Sequence, residues 1–189
     1  MARIPYPDPT ELPAEVNELL QQAHLNIFSM WAHSASTVGL IMKLGAAQFA
    51  DLELPRAIRE MVTLLVATEN SAAYEWGQHV ALSKAAGVSD EQRLALGRGD
   101  VDASCFSPVE AAVLRLARSI LTGAQVADPI FDAARKYLSY RQLVELVGIV
   151  GYYWMLGRVA TVFDVDVDVA QGTAVYDAGL RVAARSKQG

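Results

Sequence analysis

The sequence predicts an all-α fold, and three observations carry that prediction. Apolar residues recur at three- and four-residue intervals along most of the chain. The Ser-x-x-Gln/Glu spacing of a helix start occurs at Ser89, Ser107 and Ser139. No βαβ unit or glycine-rich phosphate loop is present. The 189 residues are expected to form one helical domain over 1–189, because chains of about 100 to 200 residues bury roughly 70% of the surface they expose when unfolded. A Pro-rich segment at 1–10 would precede the bundle and an irregular tail would follow from about 165 to 189.

Asp8 followed by Pro9 is a start signal, and Leu12, Val16, Leu19, Leu20 and Ala23 keep helical spacing, so a first helix is expected from about Glu11 to His24. Phe28 to Phe49 stays apolar at helical intervals, with Gly39 and Gly45 as breaks or close-contact points. Pro55 suits the start of a helix over Arg56 to Glu69, and Asn70 or Ser71 can cap the one after it. That next helix should end at Gly87, since glycine favours the left-handed residue beyond a helix terminus. VFDVDVDVA at Val162 to Ala170 is the only strand-like alternation, and without a partner it reads as an extended tail segment.

Composition narrows the function. A hydrophobic fraction of 52% exceeds what a small monomer needs to bury, which points to a homo-oligomer. A net charge of -5 with no basic run argues against nucleic-acid binding. The proline-broken start is neither a signal peptide nor an anchor. The apolar stretch Leu143 to Leu156 carries Glu145 and falls short of the roughly 20 residues a bilayer requires, so no membrane span and a cytoplasmic location are expected. The single cysteine, Cys105, rules out an internal disulfide and any CxxC redox or zinc motif, and no metal site is predicted.

The informative segment is EMVTLLVATENSAAYEWGQH, Glu60 to His79. On a helix, Ala72, Glu75, Trp76, His79 and Ser83 fall at three- or four-residue steps and share one stripe of acid, imidazole and aromatic surface. Glu60 lies in a segment apolar around most of its circumference, where desolvation would raise its pKa toward a proton donor's range. This segment, the AGVSDEQ turn and the later YLSYRQLVELVGIVGYYWMLGRV resemble the carboxymuconolactone decarboxylase and alkylhydroperoxidase-D family over about residues 28 to 165. The resemblance implies an oligomeric alkylhydroperoxidase-D-like helical bundle, a homotrimer or homohexamer. It places the family's acid-base positions at Glu60 and His79. The two cysteines of the peroxidase branch fall at Ala72 and Glu75, and Tyr74 stands where some members carry histidine. Thiol peroxidase chemistry needs a nucleophilic thiolate and a resolving thiol, so this chain resembles a cysteine-less branch.

The resemblance implies a cofactor-independent lyase or isomerase acting on a small carboxylated lactone or oxo acid. In that reading Glu60, Glu75 and His79 are catalytic: His79 stabilises an enolate oxygen and Glu60 or Glu75 donates the proton. Arg59, or an arginine from a neighbouring subunit, would hold a substrate carboxylate, with Tyr74 and Trp76 lining the pocket. Plainer readings stand beside these. Glu60 could neutralise a buried Arg59 or Arg158, Glu75 and His79 could form an interface pair, and Tyr74 and Trp76 could simply pack. His33 reads as a hydrogen bonder, Glu145 as half of an ion pair, and the glycines of VGIVGYYWMLG as close-packing points. A non-catalytic or ligand-binding paralogue is the alternative function.

Overall fold

Ten consecutive residues, Ile58 to Ala67, are buried in one helix, and the rest of that half of the chain is arranged around it. The computed structural model describes residues 1–168, 177, 179–181 and 183–184. All regular elements among them are helical. Contacts gather into two units, Glu53–Arg158 and Met1–Leu52 with Val159–Gly189.

In Glu53–Arg158, the central helix α4 (Arg56–Glu69) packs against α5 (Ala73–Ala85), α6 (Asp90–Gly97) and α7 (Pro108–Thr122), and α7 packs against α8 (Asp128–Arg135). The Ile58–Ala67 stretch of α4 is buried on every side, with the paired Arg59 and Glu60 included, which places α4 in the middle. The three predicted capping boxes are present at Ser89 with Gln92, Ser107 with Glu110 and Ser139 with Gln142, each closing two otherwise orphaned N–H groups. Gly87 takes φ +91° after α5.

The junction between α4 and α5 departs from expectation. Asn70 ends α4 instead of capping α5, Ser71 adopts a left-handed φ of 53°, and Ala72, with no capping side chain, precedes α5. Asn70 turns back to donate its Nδ2–H to the Trp154 carbonyl of α9 (Tyr140–Phe163) at 3.3 Å. Tertiary contact wins over the local cap. Gly157 permits this approach, since a Cβ there would lie 3.0 Å from Asn70 Nδ2 and 3.1 Å from Ala72 Cβ. Gly148 and Gly151 face open space, so only one of the three glycines serves close packing.

The α9 helix is longer than the sequence reading allowed. At 24 residues it is long and apolar enough, by length and composition, to cross a membrane. It buries Leu143, Leu146, Ile149, Tyr152, Tyr153 and Leu156, as a core helix does. Its opposite face exposes Tyr140 (78%), Val144 (73%), Val147 and Trp154, with Arg158 stacked 5.5 Å from the Trp154 ring centre. Part of that face borders an apolar groove of about 680 Å³ walled by α7, α8 and α9. Glu145 accepts from the Glu53 and Leu54 N–H groups, both at 2.9 Å, and from Arg141 Nε at 2.7 Å, a structural role.

In the other unit, Asp8 caps only a 3-10 turn, Pro9–Glu11, and α1 (Ala14–Gln22) begins after Pro13, later than expected, because proline blocks continuous helix through that point. The apolar stretch divides into α2 (Asn26–Trp31) and α3 (Ala35–Ala50) at residues 32–34 and not at either glycine. Gly39 instead lets α3 approach Leu19 of α1, where a Cβ would come 3.1 Å from Leu19 Cδ1. His33 Nε2 bonds the Pro5 carbonyl at 2.8 Å.

Val162 and Phe163 belong to α9, and the extended residues after it hydrogen-bond through side chains: Asp166 accepts from Tyr6 and Asp168 from the Asn26 N–H. Ala170, the end of the strand-like run, lies outside the described residues. Residues 165–168 are irregular, as expected of the tail, whereas residues 177, 179–181 and 183–184 are helical; Gly179 meets Phe49 of α3, and Ala183 packs with Ala46.

Candidate active site

Helix α4 presents Arg59 and Glu60 on adjacent positions, and the burial of the whole helix leaves Glu60 with no exposed surface. Arg59 donates from Nε at 3.1 Å and Nη2 at 2.8 Å, both to Glu60 Oε1. The other carboxylate oxygen, Oε2, lies 2.8 Å from His79 Nδ1 on α5. An ionised carboxylate only accepts, so Nδ1 carries the proton in this bond and Nε2 is left facing away from Glu60. One helical turn earlier on α5, Glu75 places Oε2 4.0 Å from that Nε2. Arg59, Glu60, His79 and Glu75 therefore form one buried series.

The two carboxyls are pushed in opposite directions. Burial drives Glu60 up, but the charge and hydrogen bond of His79, joined by those of Arg59, outweigh it and hold Glu60 below the usual carboxylate range. This corrects the expectation that desolvation makes Glu60 the proton donor. Burial dominates at Glu75, where the nearby His79 offsets only part of it, and the carboxyl rises to about 7. Its Oε1 is buried without a hydrogen-bond partner. Two carboxyls whose environments separate their pKa values can divide acid and base roles. The titrating acid here is Glu75.

Two further residues, Tyr152 and Tyr153 of α9, complete the cluster. The Tyr153 ring meets the His79 imidazole edge to face at 4.8 Å and 84°, and meets Tyr152 at 5.2 Å and 88°. Burial raises both phenols, followed by the Glu75 charge at Tyr152 and the Glu60 charge at Tyr153. They stay neutral at any ordinary pH. In the sequence they are two aromatics within an apolar run, and only the glycine-rich spacing of GYYWMLG draws notice. Nothing in it shows which helix face meets His79.

Of the six residues singled out beforehand, Arg59, Glu60, Glu75 and His79 converge. Arg59 pairs with Glu60, the plainer of the two readings open to it. Arg158, the other candidate partner of Glu60, stacks on Trp154. Tyr74 is buried in the first turn of α5. Trp76 is half-buried, its indole against Gly97, where a Cβ would come 3.2 Å from the ring. None of the six lines the 680 Å³ groove or the smaller pockets of about 380 and 430 Å³. Among the described residues, no three His, Cys, Asp or Glu side chains gather to hold a metal ion.

The fold is that of an alkylhydroperoxidase-D-like helical protein, and Glu75 occupies a place the resemblance gives to a thiol. Residues 37–119 match the carboxymuconolactone decarboxylase family. Among solved structures, the chain is similar to an alkylhydroperoxidase AhpD core, an uncharacterized peroxidase-related protein from Ralstonia eutropha JMP134, at TM-score 0.76 and 18% identity over 95% of this chain and 96% of that one. It is also similar to an uncharacterized peroxidase-related protein from Silicibacter sp. TM1040, at TM-score 0.75 and 16% identity over 89% and 92%. The debrominase Bmp8, solved in complex with 2,3,4-tribromopyrrole, matches at TM-score 0.69 and 14% identity over 87% and 91%. At these identities the likeness is one of fold. No curated protein matches the chain.

Proposed function

We propose that the chain is a cofactor-independent lyase that decarboxylates, or isomerises, a small carboxylated lactone or oxo acid by acid-base catalysis. The observation that carries this reading is the buried series from Arg59 through Glu60 and His79 to Glu75, in which one carboxyl is held ionised and the other near neutrality. In the decarboxylating case, the bond from carbon to the substrate carboxylate breaks, carbon dioxide leaves, and the electron pair passes through the unsaturated system to the carbonyl oxygen. Cationic His79, or a water it holds, donates a hydrogen bond to that oxyanion. Glu75 delivers the proton that forms the new C–H bond, then regains one from solvent. Glu60, anchored by Arg59, orients the imidazole.

A thiol peroxidase reading fails on residue content: Cys105 is the only cysteine, and Ala72 and Glu75 stand where the resemblance places the pair. A ligand-binding paralogue without turnover has one observation in its favour, that no site residue lines these three of the cavities among the described residues. The reading places the protein in the cytoplasm. It also assembles chains into a homotrimer or homohexamer through exposed apolar surface such as the α9 face. Incubation with carboxylated butenolides and 3-oxo acids, read as carbon dioxide release, tests it. Turnover that persists in Cys105→Ser supports the reading, and turnover that depends on that thiol overturns it.

A further inference from the structure

An imidazole held at one nitrogen can still tilt. His79 donates Nδ1–H to Glu60 Oε2 at 2.8 Å, which fixes one atom of the ring. Its χ2 is a torsion onto a planar ring, with a broad energy minimum, so that bond alone leaves the far nitrogen a range of directions. Glu75 does not narrow the range: its Oε2 stands 4.0 Å from Nε2, beyond hydrogen-bond distance. A second constraint is aromatic. The Tyr153 ring packs against the imidazole at 4.8 Å between centroids and 84° between planes, an edge-to-face geometry that weakens when either ring turns.

Tyr153 is held in its turn. It is buried, Tyr152 meets its ring at 5.2 Å and 88°, and the carbonyl of the next residue, Trp154, accepts from Asn70 Nδ2 at 3.3 Å, tying this turn of α9 to the end of α4. Burial keeps the phenol neutral, so Tyr153 brings a ring to His79 and not a charge. We propose that Tyr153 is a positioning residue: its ring, packed at right angles on the imidazole, sets the direction of His79 Nε2 while Glu60 holds Nδ1. The inference rests on the acid-base reading of the site for what the aimed nitrogen does, and on ring geometry for the aiming itself.

Proton NMR of the His79 Nδ1–H in the full chain tests it. Enclosed between Glu60 and a fixed ring, that proton exchanges slowly with water and gives a far-downfield signal, assigned by its loss in His79→Gln. The signal is expected in the parent and in Tyr153→Phe, which keeps the ring. It should broaden away in Tyr153→Leu and Tyr153→Met, which fill space without a ring; either one, folded by circular dichroism, gives the reading. Leu146→Ala opens a cavity about two turns earlier on the same face of α9 and should keep the signal, which separates the ring contact from loss of packing. On a carboxylated butenolide, the non-aromatic variants should lose about 10- to 100-fold in kcat with KM little changed, the mark of a misplaced group, and Tyr153→Phe should recover it. No protected Nδ1–H in the parent, a parental signal in folded Tyr153→Leu or Tyr153→Met, or its loss from Leu146→Ala or Tyr153→Phe would each overturn the proposal. The expected pattern of signals in a chain that turns nothing over would sink the proposed activity and leave this inference standing. Parental kcat in the non-aromatic variants would do the reverse.

Discussion

Glu75 and His79 stand one helical turn apart on α5 with Oε2 and Nε2 separated by 4.0 Å, while Glu60 holds the far side of the same imidazole at 2.8 Å. The imidazole is fixed on one face and available on the other. Stability and turnover should each respond to that arrangement.

Glu75 gives stability a pH dependence of definite sign. Its folded carboxyl titrates at about 7 against an ordinary value of 4.5, so the folded state binds the proton more tightly than the unfolded chain. The stability it contributes is full below the unfolded value and is lost as pH rises through the folded one. A shift of that size corresponds to roughly 3 kcal/mol at about 1.4 kcal/mol per unit. Urea unfolding of the parent and of Glu75→Gln at mildly acidic and mildly alkaline pH should show this loss in the parent and not in the variant.

Glu60 acts in the opposite sense. Its folded carboxyl is depressed by His79 and Arg59, so its stabilisation is present above the ordinary carboxylate range and is lost as pH falls through the folded value. Glu60→Ala leaves Arg59 buried without its carboxylate, and breaking a buried pair in this way costs about 3–5 kcal/mol. Chemical denaturation should report that loss, which is larger than a surface ion pair would give.

The α4–α5 junction predicts two backbone effects. Gly157→Ala should destabilise by about 1–3 kcal/mol, because its methyl would press on Asn70 and Ala72. Ser71→Gly should stabilise by about 0.5–1 kcal/mol, since Ser71 sits at φ 53°, where an L side chain is strained. Thermal melts of the two variants should therefore shift in opposite directions.

Much of the fold was legible because its signals are local. Ser-x-x-Gln/Glu spacing, Gly87 and Pro55 each act within one turn of chain and stand where expected. What was not legible depends on packing by other helices: Asn70 leaves a capping role to reach the Trp154 carbonyl, and Arg59 pairs with Glu60 because both are buried. At the site, the one-turn spacing of Glu75 and His79 could be read directly. The contact of Tyr153 with His79 could not, because it depends on how α9 lies against α5.

Assembly is tested on the exposed face of α9. Val144→Glu combined with Val147→Lys places charge where apolar surface is now open, and should reduce the particle measured by light scattering from an oligomer to a monomer. An unmodified chain that is monomeric at micromolar concentration would contradict the assembly.

The central claim is that Glu75 delivers a proton to carbon while His79 holds the developing oxyanion. The direct measurement is deuterium incorporation into the product formed from a carboxylated butenolide in heavy water, for the parent, His79→Ala and Glu75→Gln. The account predicts one deuterium at the carbon that Glu75 protonates. It also predicts that each variant falls about 100-fold or more in turnover, as loss of an acid-base group should produce. Parental rates in both variants, on a substrate the parent turns over, would contradict it.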